Sequence, residues 1–285
     1  MIKVLKPGFF NTIQDKGRFG FASYGIPVSG VMDSYSADIA NSILNNSLEA
    51  AVIEIIFGNC EFQFLCATFI CISGGDFSPK INQKSIKLHK KISVSKHDIL
   101  SFGKINFGAR SYLAVLGGMQ SEKKLKSRSF YKGITKNFAL IKGLEIPIQG
   151  NSTNVLISNA SIKIDGLHFN ATDLACTKGP EFELLNTHQH KLLFESSFSI
   201  SKDVSRMGYR LNELIENDVP TLLTSSVLPG TVQLTPSGTL IILIRDCQVT
   251  GGYPRILQMS EKAINILSQK TAGQKIGFSI ESYLS

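Results

Sequence analysis

"DKGRFGF" at residues 15–21 and "DVSRMGY" at residues 203–209 share one pattern, Asp-x-x-Arg-x-Gly-aromatic, within a chain of 285 residues. The features downstream of each copy recur in order too. "PVSG" (27–30) has a counterpart in "VLPG" (227–230), and each copy then passes a glycine, Gly58 or Gly238. Beyond that glycine lies an apolar stretch that ends in Gly-Gly, at 74–75 or 251–252. An ordered recurrence of this kind is the mark of an internal repeat. It predicts two related β-barrel-like halves, 1–150 and 151–285, with a variable link and a boundary somewhere in 150–180, and it allows strands to be exchanged between halves.

The intervening segments read mainly as β. "AVIEIIFGNCEFQFLCATFICISGGD" (51–76), "SYLAVLGG" (111–118), "NVLISNASIKIDG" (154–166) and "TLIILIRDCQVTGGYP" (239–254) are rich in Ile, Val, Phe and Thr. Gly, Asn, Asp or Ser interrupts them at strand-length intervals. Helices are few. One is predicted over 33–45, capped by Asp33 or Ser34 with Ile39, Ile43 and Leu44 on one face, and another over 260–269, opened by Ser260. The fold class is therefore mainly β with a few helices.

Composition narrows the setting. A hydrophobic content of 43% in 31.2 kDa suffices for one large core or two ordinary ones. No apolar run approaches the roughly 18 residues that span a bilayer, and "MIKVLKPGFF" has no signal-peptide pattern. Cys60, Cys66, Cys71, Cys176 and Cys247 are odd in number and sit among apolar residues, as free thiols do in a reducing compartment. A cytoplasmic protein without membrane association is expected. The net charge of +8 is spread out, and its densest run, "EKKLKSR" (122–128), has no interleaved aromatics, so it reads as a solvated loop rather than a nucleic-acid stripe.

The repeated loop is the first candidate site. Gln14, Asp15, Arg18, Arg206 and Tyr209 would line a cleft shared by the halves, where Gly lets backbone amides approach a ligand and Arg offers a planar fork to a carboxylate or phosphate. The competing reading is structural: Asp15 with Arg18, and Asp203 with Arg206, are i,i+3 ion pairs that tie down a turn. Both stay open at this level. His188 and His190 in "THQH" (187–190) stand two apart, as on one face of a strand, but no third ligand accompanies them and no metal is expected. Cys247 has no His in its local stretch and reads as a core thiol. There is no G-x-x-x-x-G-K-[ST] phosphate loop, so any ATP must be held by a different architecture or by another subunit, and there is no Met-Lys-Met-like biotinylation site, so a biotin, if used, arrives on another chain.

"TIQDKGRFGFASYGIPVSGVMD" (12–33), "ANSILNN", "SGGDF", "SYLAVLGG", "SRS", "KGPE", "SRMGYRL" and "TGGYP" occur in that order across nearly the whole chain. In this the sequence resembles the C subunit of bacterial 5-oxoprolinase, a family shared with allophanate hydrolase subunit 2 and the second half of the urea carboxylase carboxyltransferase domain. The resemblance implies paired cyclophilin-like barrels working beside a B-type subunit and an A-type hydrolase subunit. It implies ATP-driven opening of the lactam of 5-oxoproline to L-glutamate, with ATP supplied through the complex. Two alternatives accompany it. One is a carboxyltransferase component acting on urea or a related amide, with biotin on another chain; the other is a non-enzymatic antagonist that sequesters a B-type kinase-inhibitor protein.

By matching positions, the resemblance assigns Arg18 and Arg206 to stabilising anionic charge, Asp15 to orienting Arg18, and Gln14 and Gln248 to hydrogen-bonding the amide. Asp33, Tyr209, Thr250 and Tyr253 complete the substrate-binding set it implies. The chain departs from its relatives at Asn45, where Gly is usual, at Phe130, where Thr is expected, and at Cys247 and Val249. It also lacks the Asp that commonly follows the Gly of "KGLEIPI" (142–148).

Overall fold

The computed structural model describes residues 1–149 and 166–281, and so most of the segment 154–166, expected as a strand, lies outside the described residues. The chain divides into two compact units: Met1–Arg18 with Ser29–Asp165, and Phe19–Val28 with Gly166–Ser285.

The first unit contains β1 (Ile2–Lys6), β2 (Thr12–Gln14), β3 (Val52–Ile56), β4 (Glu61–Phe64), β5 (Thr68–Asp76) and β6 (Lys80–Ile81). After these come β7 (Lys84–Ser85), β8 (Ile92–Val94), β9 (Ile99–Ser101), β10 (Phe107–Val115) and β11 (Glu145–Ile146). They form two sheets, ordered β11-β1-β4-β9-β6-β7 and β2-β3-β10-β5-β8. Alternation explains their packing. Phe62 and Phe64 of β4, Ile53 and Ile55 of β3 and Leu113 and Val115 of β10 turn into one shared core. The opposite face of β3 and β10 is covered too, by helix α1 (Ser34–Ile43), which lays Ala37, Ala40 and Ile43 on Val52, Cys71 and Ala114. With both faces buried, β3 reads as an unbroken apolar run interrupted only by Glu54.

Helix α1 starts and stops for local reasons. The Asp33 carboxylate accepts from the Ser36 amide at 3.1 Å and the Ser36 hydroxyl at 2.6 Å, which satisfies the first turn. The chain leaves the helix through Asn45 at φ 56°. That left-handed turn favours Gly, and Asn is among the few other residues that adopt it readily, so the departure from Gly at this position keeps the same backbone.

The second unit contains β12 (Asp173–Lys178), β13 (Phe198–Val204), β14 (Gly208–Leu214), β15 (Ser225–Ser226) and β16 (Thr231–Leu234). β17 (Thr239–Leu243), β18 (Thr250–Gly251), β19 (Arg255–Met259) and β20 (Lys275–Ile280) complete it. Seven of these close into a barrel in the order β12-β19-β16-β17-β14-β13-β20. Leu174, Phe198, Ile200, Tyr209, Leu211, Leu240, Ile242 and Phe278 are inward-turning, buried positions on its strands. The helices are α2 (Leu167–Asn170), α3 (Thr187–Glu195) and α4 (Glu261–Ser268). As expected, Ser260 caps α4, accepting from the Ala263 amide at 3.2 Å.

One expectation is corrected here. "THQH" lies in α3, not on a strand, because Asn186 and Gln189 form a reciprocal capping box that starts a helix. His188 is exposed, while His190 stacks on Phe182 with ring centroids 4.3 Å apart. Among the described residues no helix is long and apolar enough to cross a membrane.

Candidate functional site

Among the residues singled out in the sequence, the first unit holds Gln14, Asp15, Arg18 and Asp33. All four are buried and engaged with their own unit. The Gln14 carboxamide donates to Thr12 Oγ1 at 3.0 Å and to the Phe130 carbonyl at 3.3 Å, and its oxygen accepts from the Gly30 amide at 3.1 Å. Asp15 accepts from the Ser127 hydroxyl at 2.6 Å, the Ser129 hydroxyl at 2.7 Å, the Arg128 amide at 2.6 Å and the Gly17 amide at 2.9 Å. "SRS" is therefore the loop that Asp15 holds. Arg18 donates through Nη2 to the Ser129 carbonyl. The expected Asp15–Arg18 ion pair does not form; Ser129 stands between them, its hydroxyl on one and its carbonyl on the other. Gly30 lets this turn close: at φ 91°, a β-carbon there would lie 3.0 Å from the Asp15 carbonyl oxygen.

Beside the start of α1 lies a buried polar group that the sequence reading missed. Glu54, fully buried, accepts from the Met32 amide at 2.7 Å and from the Tyr112 hydroxyl at 2.9 Å, and that hydroxyl accepts from the Asp33 amide at 2.8 Å. Burial, followed by the nearby Glu54 and Asp33 charges, pushes the Tyr112 phenol well above its ordinary range. The signal was available: Glu54 is the one charged residue in "VIEII".

The second unit holds Arg206, Tyr209, Gln248, Thr250 and Tyr253. Tyr209 is fully buried on the inner row of the barrel. Arg206 makes no ion pair with Asp203. It grips Asp246 instead, Nε to Oδ2 at 2.8 Å and Nη2 to Oδ1 at 3.1 Å. Thr250 is exposed on β18. Cys247 is buried, and loss of hydration pushes its thiol up to about 12, as it does for Cys60, Cys71 and Cys176. None of these four is a thiolate at neutral pH.

Gln248 and Tyr253 meet at a cleft of about 530 Å³ on the outer face of the barrel. Its floor is a cross-strand row. Arg210 of β14 pairs with Ile241 of β17, which pairs with Gln233 of β16. Two residues along β14 and β17 the pair is Gly208 opposite Leu243, so the floor opens where a side chain is missing. Gln233 is only 1% exposed, and its carboxamide nitrogen donates to the Tyr253 carbonyl at 3.3 Å. Gly251 makes room for that group: a β-carbon there would stand 2.8 Å from Gln233 Nε2. Lys202 and Asp203 complete the polar rim. Sequence reasoning found Gln248 and Tyr253 here but missed Lys202, Arg210 and Gln233. The available signals were Arg210, directly after the repeated motif, and the lone amide side chain in "TVQL".

A mainly β chain with a seven-stranded barrel and a polar cleft on that barrel's outer face is the class of protein these features define. The family described as "Carboxyltransferase domain, subdomain A and B" matches residues 24–280, and the chain belongs to it. It is 28% identical over 285 residues to the C subunit of 5-oxoprolinase from Escherichia coli, covering 98% of this chain and 90% of that one. It is 40% identical over 130 residues to the urea amidolyase of Lachancea kluyveri, a match of 45% of this chain and 7% of that protein. Among solved structures, the urea amidolyase of K. lactis superimposes with a TM-score of 0.88 at 24% identity over 99% of this chain. The Kluyveromyces lactis urea carboxylase does so with the same score, identity and coverage. The chain spans 19% and 27% of those two, which share its fold.

Proposed function

We propose that this chain is the C subunit of an ATP-dependent 5-oxoprolinase, opening the lactam of 5-oxoproline to L-glutamate together with A and B subunits. The observation that carries the reading is the nearly end-to-end match to the C subunit of the Escherichia coli 5-oxoprolinase, which leaves little of either protein unmatched. Opening the ring breaks the lactam C–N bond and delivers water to the carbonyl carbon. It needs donors for a developing oxyanion and a hold on the substrate carboxylate. Arg18 and Arg206, assigned by resemblance to anionic charge, keep that role only as a proposal, since both are buried in contacts of their own units. The chain has no phosphate loop, so ATP is held by a different architecture or by another subunit.

The test is reconstitution. The purified chain alone should leave 5-oxoproline intact, and adding cognate A and B subunits should couple phosphate release to glutamate formation. Turnover by the isolated chain would overturn the division of labour. The second reading, a carboxyltransferase component using biotin on another chain, is favoured by the family description and by the 40% identity to urea amidolyase. Urea with a biotinylated carrier, run in parallel, separates the two.

A further inference from the structure

Gln14 and Asp15 of the first unit are engaged by several hydrogen bonds of their own unit, whereas several polar side chains of the barrel cleft are not. Among the described residues, Lys202, Arg210 and Gln248 direct no side-chain hydrogen bond or ion pair to the chain, although all three line one cavity. Gln233 has its nitrogen fixed on the Tyr253 carbonyl, so its carboxamide cannot rotate without losing that bond, and its oxygen is the acceptor left for the cleft. An acceptor already held in one orientation at the cleft can take a ligand N–H without a reordering cost.

We propose that this cleft binds a small monoanion in which a carboxylate stands beside an amide N–H. Arg210 takes the carboxylate, Ile241 supports the apolar middle, and the Gln233 oxygen accepts the N–H. Spacing supports the arrangement. Arg210 and Gln233 are two strands apart in one row, about 10 Å between backbones. Both line the cleft, on either side of Ile241, a spacing that suits a compact five-membered lactam acid or an equally short acylated amino acid. Charge supports it too, since Lys202 and Arg210 outnumber Asp203 on the lining. A guanidinium fork with no partner among the described residues matches a carboxylate in both geometry and sign. The cavity falls within the range of about 300–1,000 Å³ usual for small-molecule sites. The choice of a lactam as ligand rests on the 5-oxoprolinase reading; the carboxylate-plus-amide chemistry does not.

The test is calorimetry, with ligand-observed NMR for weak binders, on the purified full chain and three probes: L-5-oxoproline, 2-pyrrolidinone, which lacks the carboxylate, and N-acetylglycine, which keeps both groups without the ring. 5-Oxoproline should bind at least about tenfold more tightly than 2-pyrrolidinone, the worth of one charge-assisted pair. Arg210→Met should remove that advantage without moving the unfolding temperature, since Arg210 is exposed and makes no side-chain bond within the described chain. Gln233→Leu should weaken N-acetylglycine and 5-oxoproline alike. Equal affinity for the two lactams, an unchanged Arg210→Met variant, or no binding of either carboxylated probe would overturn the site. Arg210-dependent binding of N-acetylglycine without 5-oxoproline would keep the site and remove the lactam reading. Full 5-oxoproline turnover by a reconstituted Arg210→Met complex would do the reverse.

Discussion

Arg206 and Asp246, 40 positions apart, are joined by two parallel hydrogen bonds, with side chains only 6% and 12% exposed. Such a pair is costly to break from one side, because the remaining charge stays buried. Arg206→Lys keeps the charge and loses the fork, and should lower unfolding stability by about 1–3 kcal/mol. Asp246→Ala should cost more, about 3–5 kcal/mol. Denaturant titration of both variants checks this. A loss of complex turnover that follows the loss of stability assigns Arg206 to the barrel's architecture, while an unchanged midpoint with collapsed turnover assigns it to the chemistry.

The thiols make a second prediction. Burial holds Cys60, Cys71, Cys176 and Cys247 protonated, each with its thiol pushed up to about 12, whereas Cys66 is half-buried at the surface. With a disulfide reagent at neutral pH, Cys66 should react first and the other four only as the chain unfolds. Rapid labelling of Cys247 in the folded protein would contradict its place in the small core with Val227 and Leu243.

Acid should loosen the second unit at a definite place. The side-chain hydrogen bonds from Arg255 hold the Glu181 carboxyl below its ordinary value near 4.5. Because the folded value lies below the unfolded one, the pair's contribution is fully present above about 4.5 and fades as pH falls through the folded value. The stability gap between wild type and Glu181→Gln should therefore be greatest near neutrality and shrink below about pH 4, as read from thermal midpoints across a pH series. A gap that widened in acid would reverse the assignment.

Gly251→Ala tests the cleft wall without touching a charged group. The added methyl meets Gln233 Nε2 at 2.8 Å, so the carboxamide must turn away from the Tyr253 carbonyl. A stability loss of about 1 kcal/mol is expected for the lost hydrogen bond, together with weakened binding of both amide probes. Unaltered binding would show that the Gln233 orientation is irrelevant to the site.

Where the sequence was transparent, the physics was local. Asp33 and Ser260 announced their helices because capping is decided within four residues, and the 51–76 run divided into β3, β4 and β5 at the turn residues that separate them. Helix α3 was opaque because Asn186 and Gln189 cap each other across a segment with few apolar residues, which left no periodic stripe to read. The site was legible only in part for a similar reason. Gln14 and Asp15 stand out as polar residues in a turn, but their partners Phe130, Ser127 and Ser129 lie more than a hundred residues away, so their engagement is a property of the folded unit. Arg210 and Gln233 share a row only because the barrel pairs β14, β17 and β16.

The barrel's closing seam has a consequence for biosynthesis. β20 lies between β12, which it joins in parallel with Phe278 opposite Leu174, and β13, where Ile276 faces Phe198. Until residues 275–280 have left the ribosome, β12 and β13 each keep a bare edge, and an unpaired apolar edge is a template for wrong partners. The nascent barrel thus waits, open, for its latest strand. A pause in translation just ahead of Lys275 would lengthen the interval in which this protein most needs a chaperone.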